Sequence, residues 1–395
     1  MLKYSVGIDV SKAELHFAIS VIDANQHVTV KGSAKFDNTK SGIAKADKWI
    51  QQHHKQKDIP LVVLMEATGV YYELVAQYLH INGYTLSVIL PNKAKKYLQA
   101  TGLKSKNDSI DAKGLSRMGA EQNHRPWQPM NLFFYQLRDL TRQHQRLSEE
   151  KTATSNQLEA LQFGMFQTPT VIKMLKKKLR TVTAQIEEMN NAISDHVKQN
   201  KEVYEKVIKI CKIKGVAIHT VAVILAETNG FALFENSRQL VSYAGYDVVE
   251  NQSGKRSGKT NISKKGNSRI RRALHMPAFS VVTYMQAPFI QLFNRTLTRH
   301  NQKMKSYVAV QKKLLVMIYA LWKNNVAYDP KYHSINHTRE KEQASSSPAA
   351  PVEPVCDNKN SADQKPALHK VDTLSKDRSL PPLRTTKITQ KMFVS

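Results

Sequence analysis

Residues 4–21 read Tyr4-Ser-Val-Gly-Ile-Asp-Val-Ser-Lys-Ala-Glu-Leu-His-Phe-Ala-Ile-Ser-Val21. The parts 4–10 and 15–21 are rich in β-branched and aromatic residues, which favour strands. Residues 27–36 then alternate apolar and polar side chains with the period of a strand. The N-terminal part of the chain is therefore predicted to begin with three consecutive β-strands.

The elements that follow extend this pattern into an α/β domain over residues 1–125. Proline prefers the first position of a helix, so Pro91 is predicted to begin one. The other predicted elements are a polar helix from about Thr39, an apolar strand at 61–65 that ends at Glu66, a helix at 71–81 and a strand at 85–90. The order β-β-β-α-β-α-β-α is typical of a ribonuclease-H-like domain, in which the first and fourth strands lie side by side.

Four acidic residues occupy informative places in this order: Asp9, Glu66, Asp108 and Asp111. Asp9 and Glu66 would project from the two neighbouring strands into one cleft. Asp108 and Asp111 are three residues apart and would share one face of a helix that begins near Ser105. Carboxylate oxygens suit hard cations such as Mg²⁺ or Mn²⁺, and two such ions can promote phosphodiester chemistry. The alternative for Asp108 and Asp111 is a structural role as a helix cap or a partner of the helix dipole.

The charge of the chain predicts a nucleic-acid substrate. It carries 59 Lys and Arg against 32 Asp and Glu, a formal net charge of +27, and such a surplus attracts phosphates. No segment reaches the roughly 18 apolar residues of a membrane-spanning helix, and we see no signal peptide before the first strand, so no membrane partner is expected. With only Cys211 and Cys356, a disulfide framework and a cysteine zinc site are excluded, and we expect a reducing cytoplasm.

A proline-marked linker at 124–129 separates the first domain from a helical arm, predicted over residues 126–203. Residues 132–197 indicate two long helices separated by 164–170. The second helix carries apolar residues at alternating spacings of three and four, the seam of a coiled coil: Ile172, Leu175, Leu179, Val182, Ile186, Met189 and Ile193. This seam predicts either an antiparallel hairpin within one chain or a joint between subunits.

A mostly helical unit is predicted over residues 204–330, and it contains two candidate phosphate-binding segments. Gly215 lies in a short turn between helices, which resembles a helix-hairpin-helix, although Gly215 could equally be an ordinary helix stop. Further on, Gly254, Gly258 and Gly266 would let the backbone approach a phosphate closely. The surrounding cations would bind it: Lys255, Arg256, Lys259, Lys264, Lys265, Arg269, Arg271 and Arg272. Serines here could be nucleophiles, and the alternative is a flexible basic loop.

Together, the four acids, the Gly-Ile-Asp-Val-Ser-Lys opening and the basic serine-rich block resemble the DEDD transposases of bacterial insertion sequences, the IS one-ten family. The resemblance covers roughly residues 1–325. It implies a RuvC-like first domain whose Asp9, Glu66, Asp108 and Asp111 bind Mg²⁺. It also implies that Ser253 is the nucleophile, with Ser257 and Ser263 as weaker candidates. Small departures are Asn107, where the family commonly has threonine, and Ala217, where the helix-hairpin-helix usually has a second glycine.

The same resemblance implies the partners and the compartment. These are double-stranded DNA, a structured guide RNA and further copies of the chain, joined through the coiled coil into a dimer or tetramer in the bacterial cytoplasm at the nucleoid. Two other functions stay open: a RuvC-type Holliday-junction nuclease that uses metal-activated water, and a non-enzymatic basic nucleic-acid-binding scaffold. Residues 331–395 are rich in Ser, Pro, Ala, Lys and Gln, and we expect a disordered tail.

Overall fold

The structure is a computed structural model of the chain, and it describes residues 1–101, 107–250, 252–253, 256–258 and 261–330. The tail predicted at 331–395 lies outside these residues. Within the described ranges, none of the helices combines the length and apolar content needed to cross a membrane.

A five-stranded sheet forms the N-terminal part of the fold, in the order β3-β2-β1-β4-β5. Its strands are β1 (Lys3–Val10), β2 (Glu14–Ile22), β3 (Val28–Asp37), β4 (Leu61–Glu66) and β5 (Thr85–Ile89). The first three strands run antiparallel to one another, whereas β4 runs parallel to both β1 and β5. The predicted strands are confirmed, and so is the predicted contact of the first strand with the fourth, which pairs Ile8 with Met65.

Four helices accompany this sheet: α1 (Lys40–His53), α2 (Glu73–Ile81), α3 (Pro91–Ala100) and α4 (Asp108–Glu121). Pro91 is the first residue of its helix, as predicted. The start predicted near Ser105 was too early, because the side chain of Asn107 accepts a hydrogen bond from the backbone N–H of Ile110 and caps the helix there; Ser105 itself lies outside the described residues.

Helix α4 lies directly on the sheet because small residues face each other at the contact. A Cβ atom on Gly7 would lie 2.1 Å from the backbone nitrogen of Ser116 and 2.2 Å from the carbonyl oxygen of Ala112. On the helix side, a Cβ on Gly119 would lie 2.4 Å from the Ser5 hydroxyl oxygen. This close approach fixes the height of α4 above β1.

The two long predicted helices are confirmed as α5 (Leu132–Phe163) and α6 (Pro169–Gln199), which pack against each other. All seven residues of the predicted seam are buried or half-buried, while most of the other residues of α6 are exposed. Lys178 also pairs with Glu150 across the two helices at 2.8 Å. The packing agrees with a hairpin within one chain.

The remaining described residues are mostly helical, as predicted, and add four two-residue strands that sequence patterns did not predict. The helices are α7 (Lys201–Cys211), α8 (Ile218–Thr228), α9 (Ser237–Tyr243), α10 (Ser268–Ala273), α11 (His275–Thr283), α12 (Ala287–His300) and α13 (Lys303–Asn324). The strands are β6 (Val248–Val249), which pairs with β9 (Asn261–Ile262), and β7 (Gln252–Ser253), which pairs with β8 (Arg256–Ser257). Leu137, Ile193 and Val197 of the arm share one apolar core with these helices.

Candidate functional site

The sheet places Asp9 and Glu66 next to each other at the carboxyl ends of two parallel strands. Ile8 pairs with Met65, so each acid is the next residue on its strand. Side chains alternate between the two faces of a sheet, and Asp9 therefore shares a face with Gly7, the residue that touches α4. The first strand thus directs Asp9 toward the helix that carries the other two acids.

Asp108 and Asp111 lie in the first turn of α4, whose N-terminus is capped by Asn107. The capping role considered for Asp108 therefore belongs to its neighbour. Both carboxylates still lie where the positive end of the helix dipole favours negative charge. Asp111 is half-buried and Asp108 is exposed.

The electrostatics of Asp9 indicate that the other three acids lie near it. Burial is the largest cause that raises the pKa of Asp9, and the carboxylates of Asp108, Asp111 and Glu66 follow in that order; together they bring this pKa to about 6. Like charges close together disfavour ionisation, so the part of this shift that comes from the carboxylates reflects negative charge near Asp9. Strongly perturbed groups of this kind are typical of functional sites.

His16 is a member of this site that sequence patterns did not predict. It is directly opposite Asp9 in the antiparallel pair β1–β2. Its Nε2 lies 3.6 Å from Oδ2 of Asp108 and 3.8 Å from Oε2 of Glu14. In this position it lowers the pKa of Asp9, against the effect of the carboxylates. The signal was present in the strand register, which places residue 16 across from residue 9.

The donor set fits a hard divalent cation in its chemistry, since it consists of four carboxylates on a rigid sheet and one helix. Burial and the neighbouring carboxylates both raise the pKa of Asp9, and a bound cation would favour its ionised form. Among the described residues, however, no group of three or more His, Cys, Asp or Glu side chains is already arranged to hold a metal ion. The acids are within electrostatic range of one another without surrounding a common point.

The predicted nucleophile lies in a different sheet from the acids. Ser253 belongs to β7 and pairs with Arg256 of β8, and its side chain lies outside the description, as does that of Arg256. Gly254, Lys255 and Lys259 are outside the described residues altogether. The structure therefore brings the four acids together and leaves their relation to Ser253 a prediction.

The predicted basic segment continues through residues 264–272, where the cations divide into two kinds. Lys264 and Lys265 are exposed. The arginines instead bind groups of the chain itself: Arg271 donates to the Ala244 carbonyl oxygen at 2.7 Å, and Arg272 pairs with Glu149. The two lysines thus face solvent.

The predicted phosphate-binding glycines are placed where the chain packs tightly against itself. Gly215 lies between α7 and α8 with a φ of +98°, and a Cβ there would lie 2.5 Å from Cβ of Ser280. A Cβ on Gly266 would lie 2.4 Å from the carbonyl oxygen of Tyr243. Both positions therefore need glycine for the fold, whatever they bind.

Comparison with known proteins gives two family matches that lie on either side of the arm's turn. A family model described as Transposase matches residues 6–166, and the Transposase IS116/IS110/IS902 family matches residues 209–309. The Pilin gene-inverting protein of Moraxella bovis is 26% identical over 335 residues, which cover 84% of this chain and 100% of the relative. The transposase for insertion sequence element IS1111A of Coxiella burnetii is 22% identical and covers 67% of this chain and 79% of its own. Among solved structures, the Thermus thermophilus RuvC structure aligns with a TM-score of 0.25 and 12% identity, over 31% of this chain and 99% of its own.

A mixed α/β sheet followed by a helical unit, with these two transposase matches in sequence order, places the chain in the class of DNA transposases and recombinases. The chain belongs to the IS116/IS110/IS902 family of insertion-sequence transposases. The resemblance read from the acids and the basic block is thereby confirmed at the level of the family.

Proposed function

We propose that this transposase exchanges DNA strands with Asp9, Glu66, Asp108 and Asp111 as a Mg²⁺ or Mn²⁺ site and with Ser253 as the nucleophile. The observation that carries the proposal is the strand register that places Asp9 beside Glu66 on the strand that contacts α4, and the pKa of Asp9, raised to about 6 by burial and by the other three carboxylates, agrees with it. Three carboxylates that raise the pKa of Asp9 in this way support a single functional site for the four acids.

The chain's own residues set up this site before any cation binds. The sheet fixes Asp9 and Glu66, and the contact of α4 with Gly7 fixes the start of the helix that carries Asp108 and Asp111. Asp108, whose side chain is 61% exposed, has room to rotate toward the others. When bound, a divalent cation would supply Lewis acidity at a phosphodiester. Ionised Asp9 would be its partner, because the positive charge offsets the repulsion that raises the pKa.

In the proposed strand exchange, the Ser253 hydroxyl oxygen attacks a DNA phosphorus atom. A Ser–O–P bond forms, one P–O bond of the strand breaks, and the leaving oxygen takes up a proton as the serine gives one up. A strand hydroxyl then attacks the same phosphorus atom, a new P–O bond of the DNA forms, and the Ser–O–P bond breaks. The hydroxyl gives up a proton and the serine oxygen takes one up, so the serine is restored and no ATP is consumed. Ser263 is a weaker candidate, since its hydroxyl oxygen accepts a hydrogen bond from the Lys265 backbone N–H at 3.3 Å; Ser257 stays open as an alternative.

Several observations support the proposed partners. The name of the Moraxella bovis relative describes gene inversion, which requires rejoining as well as cutting and so favours a recombinase over a nuclease. The net charge of +27 suits DNA and a structured guide RNA. The turn at Gly215, as a helix-hairpin-helix-like element, and exposed Lys264 and Lys265 would contact phosphates. The arm formed by α5 and α6, as a coiled coil, would join copies of the chain at the nucleoid of a bacterial cytoplasm.

A denaturing gel for a covalent protein–DNA adduct tests this proposal, with Mg²⁺, the element's junction DNA and its flanking transcript. We expect an adduct in the wild type and in Ser257→Ala, and none in Ser253→Ala or Asp9→Asn. Free cut ends that survive Ser253→Ala would indicate a junction nuclease that uses water. DNA binding without cutting in any condition would indicate a scaffold.

A further inference from the structure

Glu227 is a buried carboxylate outside the site described so far. It lies near the end of α8, where its side chain is 2% exposed and its neighbours Val223, Ile224 and Leu225 are buried. A charge in such surroundings is costly unless it is paired and hydrogen-bonded. The groups that pair with this carboxylate therefore indicate its role in the protein.

Two separate parts of the chain supply those groups: the arm, and the basic segment, in which Nε of Arg269 also lies 3.9 Å from Oε1 of Glu227. Arg142 of α5 donates from Nε at 2.8 Å and from Nη2 at 3.0 Å, a two-pronged pair. The Asn267 side-chain amide donates at 2.7 Å to the same oxygen that receives Nη2. Burial raises the pKa of Glu227, but the hydrogen bonds from Arg142 and Asn267 outweigh it and leave this pKa below its ordinary value. Glu227 is thus ionised and joins the arm to the basic segment.

Asn267 transmits this anchoring to the basic segment. Its side-chain oxygen accepts from the backbone N–H groups of Arg269 and Ile270 at 2.9 and 3.3 Å. Its own backbone N–H donates to the Tyr243 carbonyl oxygen at 2.7 Å. Exposed Lys264 and Lys265 come immediately before this fixed turn. Their position on the surface therefore depends on an amide that Glu227 orients.

We propose that Glu227 is a positioning residue for DNA binding, an inference that rests on the proposed contact of this basic segment with DNA phosphate. Through Asn267 it holds the turn in the one arrangement that presents the two lysines together. A buried ion pair can often be replaced by apolar residues of similar volume without loss of stability. The charge of Glu227 is therefore not needed to fill the interior, and the orientation of Asn267 is its specific contribution.

The test compares single and paired substitutions for stability and for binding to the element's junction DNA over a range of salt. Glu227→Gln should weaken DNA binding about tenfold. It should also reduce the magnitude of the slope of the logarithm of the binding constant against the logarithm of the salt concentration, by the equivalent of about one to two phosphate contacts. The pair Glu227→Met with Arg142→Met removes both charges and should recover much of the unfolding temperature. Because Asn267 still lacks its acceptor, we expect the salt slope to stay reduced.

Glu150→Gln is the matched control, since it removes an exposed ion pair with Lys178 on the same arm and should leave the slope unchanged. A purely structural role predicts that stability and salt slope recover together in the paired variant, and that result would overturn the proposal. Ser253→Ala should bind DNA like the wild type. If instead Ser253→Ala still forms the adduct while Glu227→Gln loses phosphate contacts, the serine chemistry fails and the positioning role stands.

Discussion

Gly7→Ala tests whether the contact between α4 and the sheet controls the acidic site. The new Cβ would lie 2.1 Å from the backbone nitrogen of Ser116 and 2.8 Å from the carbonyl carbon of Leu115. Non-bonded heavy atoms prefer separations of about 3.5–4.0 Å, and backbone atoms of a helix cannot move aside singly. The whole of α4 must therefore shift by about 1 Å or more to clear the methyl group.

That displacement carries Asp108 and Asp111 away from Asp9. Overpacking of this kind costs about 1–3 kcal/mol of unfolding free energy, which a domain can survive. A functional site tolerates a displacement of its side chains of only about 0.5 Å, and a displacement of about 1 Å can lower the reaction rate roughly 100-fold. We therefore expect a folded Gly7→Ala protein that loses most of its Mg²⁺-dependent stabilisation and forms the DNA adduct about 100-fold more slowly.

Gly114→Ala provides the control on the same helix. A Cβ there meets only the side chain of Leu98, at 2.0 Å from Cδ2, and a flexible side chain can rotate away. Circular dichroism shows whether both variants fold. The unfolding temperature is then measured over a range of Mg²⁺ concentrations, and the rate of adduct formation is measured last. A Gly7→Ala protein that retains the wild-type response to Mg²⁺ and the wild-type rate would refute the claim that this contact positions the acids.

Three further predictions concern stability. Ser5→Ala should be neutral or stabilising by about 1 kcal/mol, because the buried hydroxyl has no hydrogen-bond partner among the described residues. In a double-mutant cycle measured by urea unfolding, Ser5→Ala should also reduce the loss of stability that Gly119→Ala causes. Burial lowers the pKa of His219 to about 4, so as the pH falls this histidine is protonated in the unfolded chain before it is protonated in the folded one. Between pH 7 and 5 the free energy of unfolding of the wild type should therefore fall by about 1–2 kcal/mol more than that of His219→Gln. Equal losses in the two proteins would contradict this prediction. Ile193→Ala, at 1% exposure, should cost about 2–5 kcal/mol, whereas Met174→Ala, at 67% exposure, should change the unfolding free energy by less than about 0.5 kcal/mol.

The strands and most helices of the first domain could be predicted because their patterns are local. Alternation and apolar runs depend only on neighbouring residues, and Pro91 has one preferred position at a helix start. The start of α4 was predicted too early because the deciding group is one side chain, that of Asn107. The four short strands of two residues each are too brief to carry a period, so no pattern could predict them.

The candidate site was predictable in its acids and not in their surroundings. Asp9 and Glu66 follow from strand adjacency, which the order of elements already implies. His16 enters the site through the register of β1 with β2, and register depends on pairing rather than on composition. Glu227 was equally invisible, since its partners lie 85 residues before it and 40 residues after it. Its sequence neighbours are those of an ordinary apolar helix.

Helix α5 explains how the acidic domain and the basic segment are connected within one chain. Near its start, Tyr135 donates to Glu73 at 2.8 Å and Arg138 pairs with the same carboxylate at 3.3 Å. Glu73 is the first residue of α2, seven residues after Glu66.

One turn beyond Arg138 on the same face, Arg142 reaches Glu227 and thereby the turn at Asn267. Spacings of three and four place these side chains on one stripe of the helix. A charged stripe normally indicates a solvated face, and here it binds two segments that are distant in the sequence. Arg142→Met should therefore disturb the basic segment without moving the acids, and so weaken DNA binding. Arg138→Met should loosen the first domain from α5 and leave Asn267 in place, and so reduce the Mg²⁺-dependent stabilisation. Separate effects of this kind would distinguish the two halves of the connection.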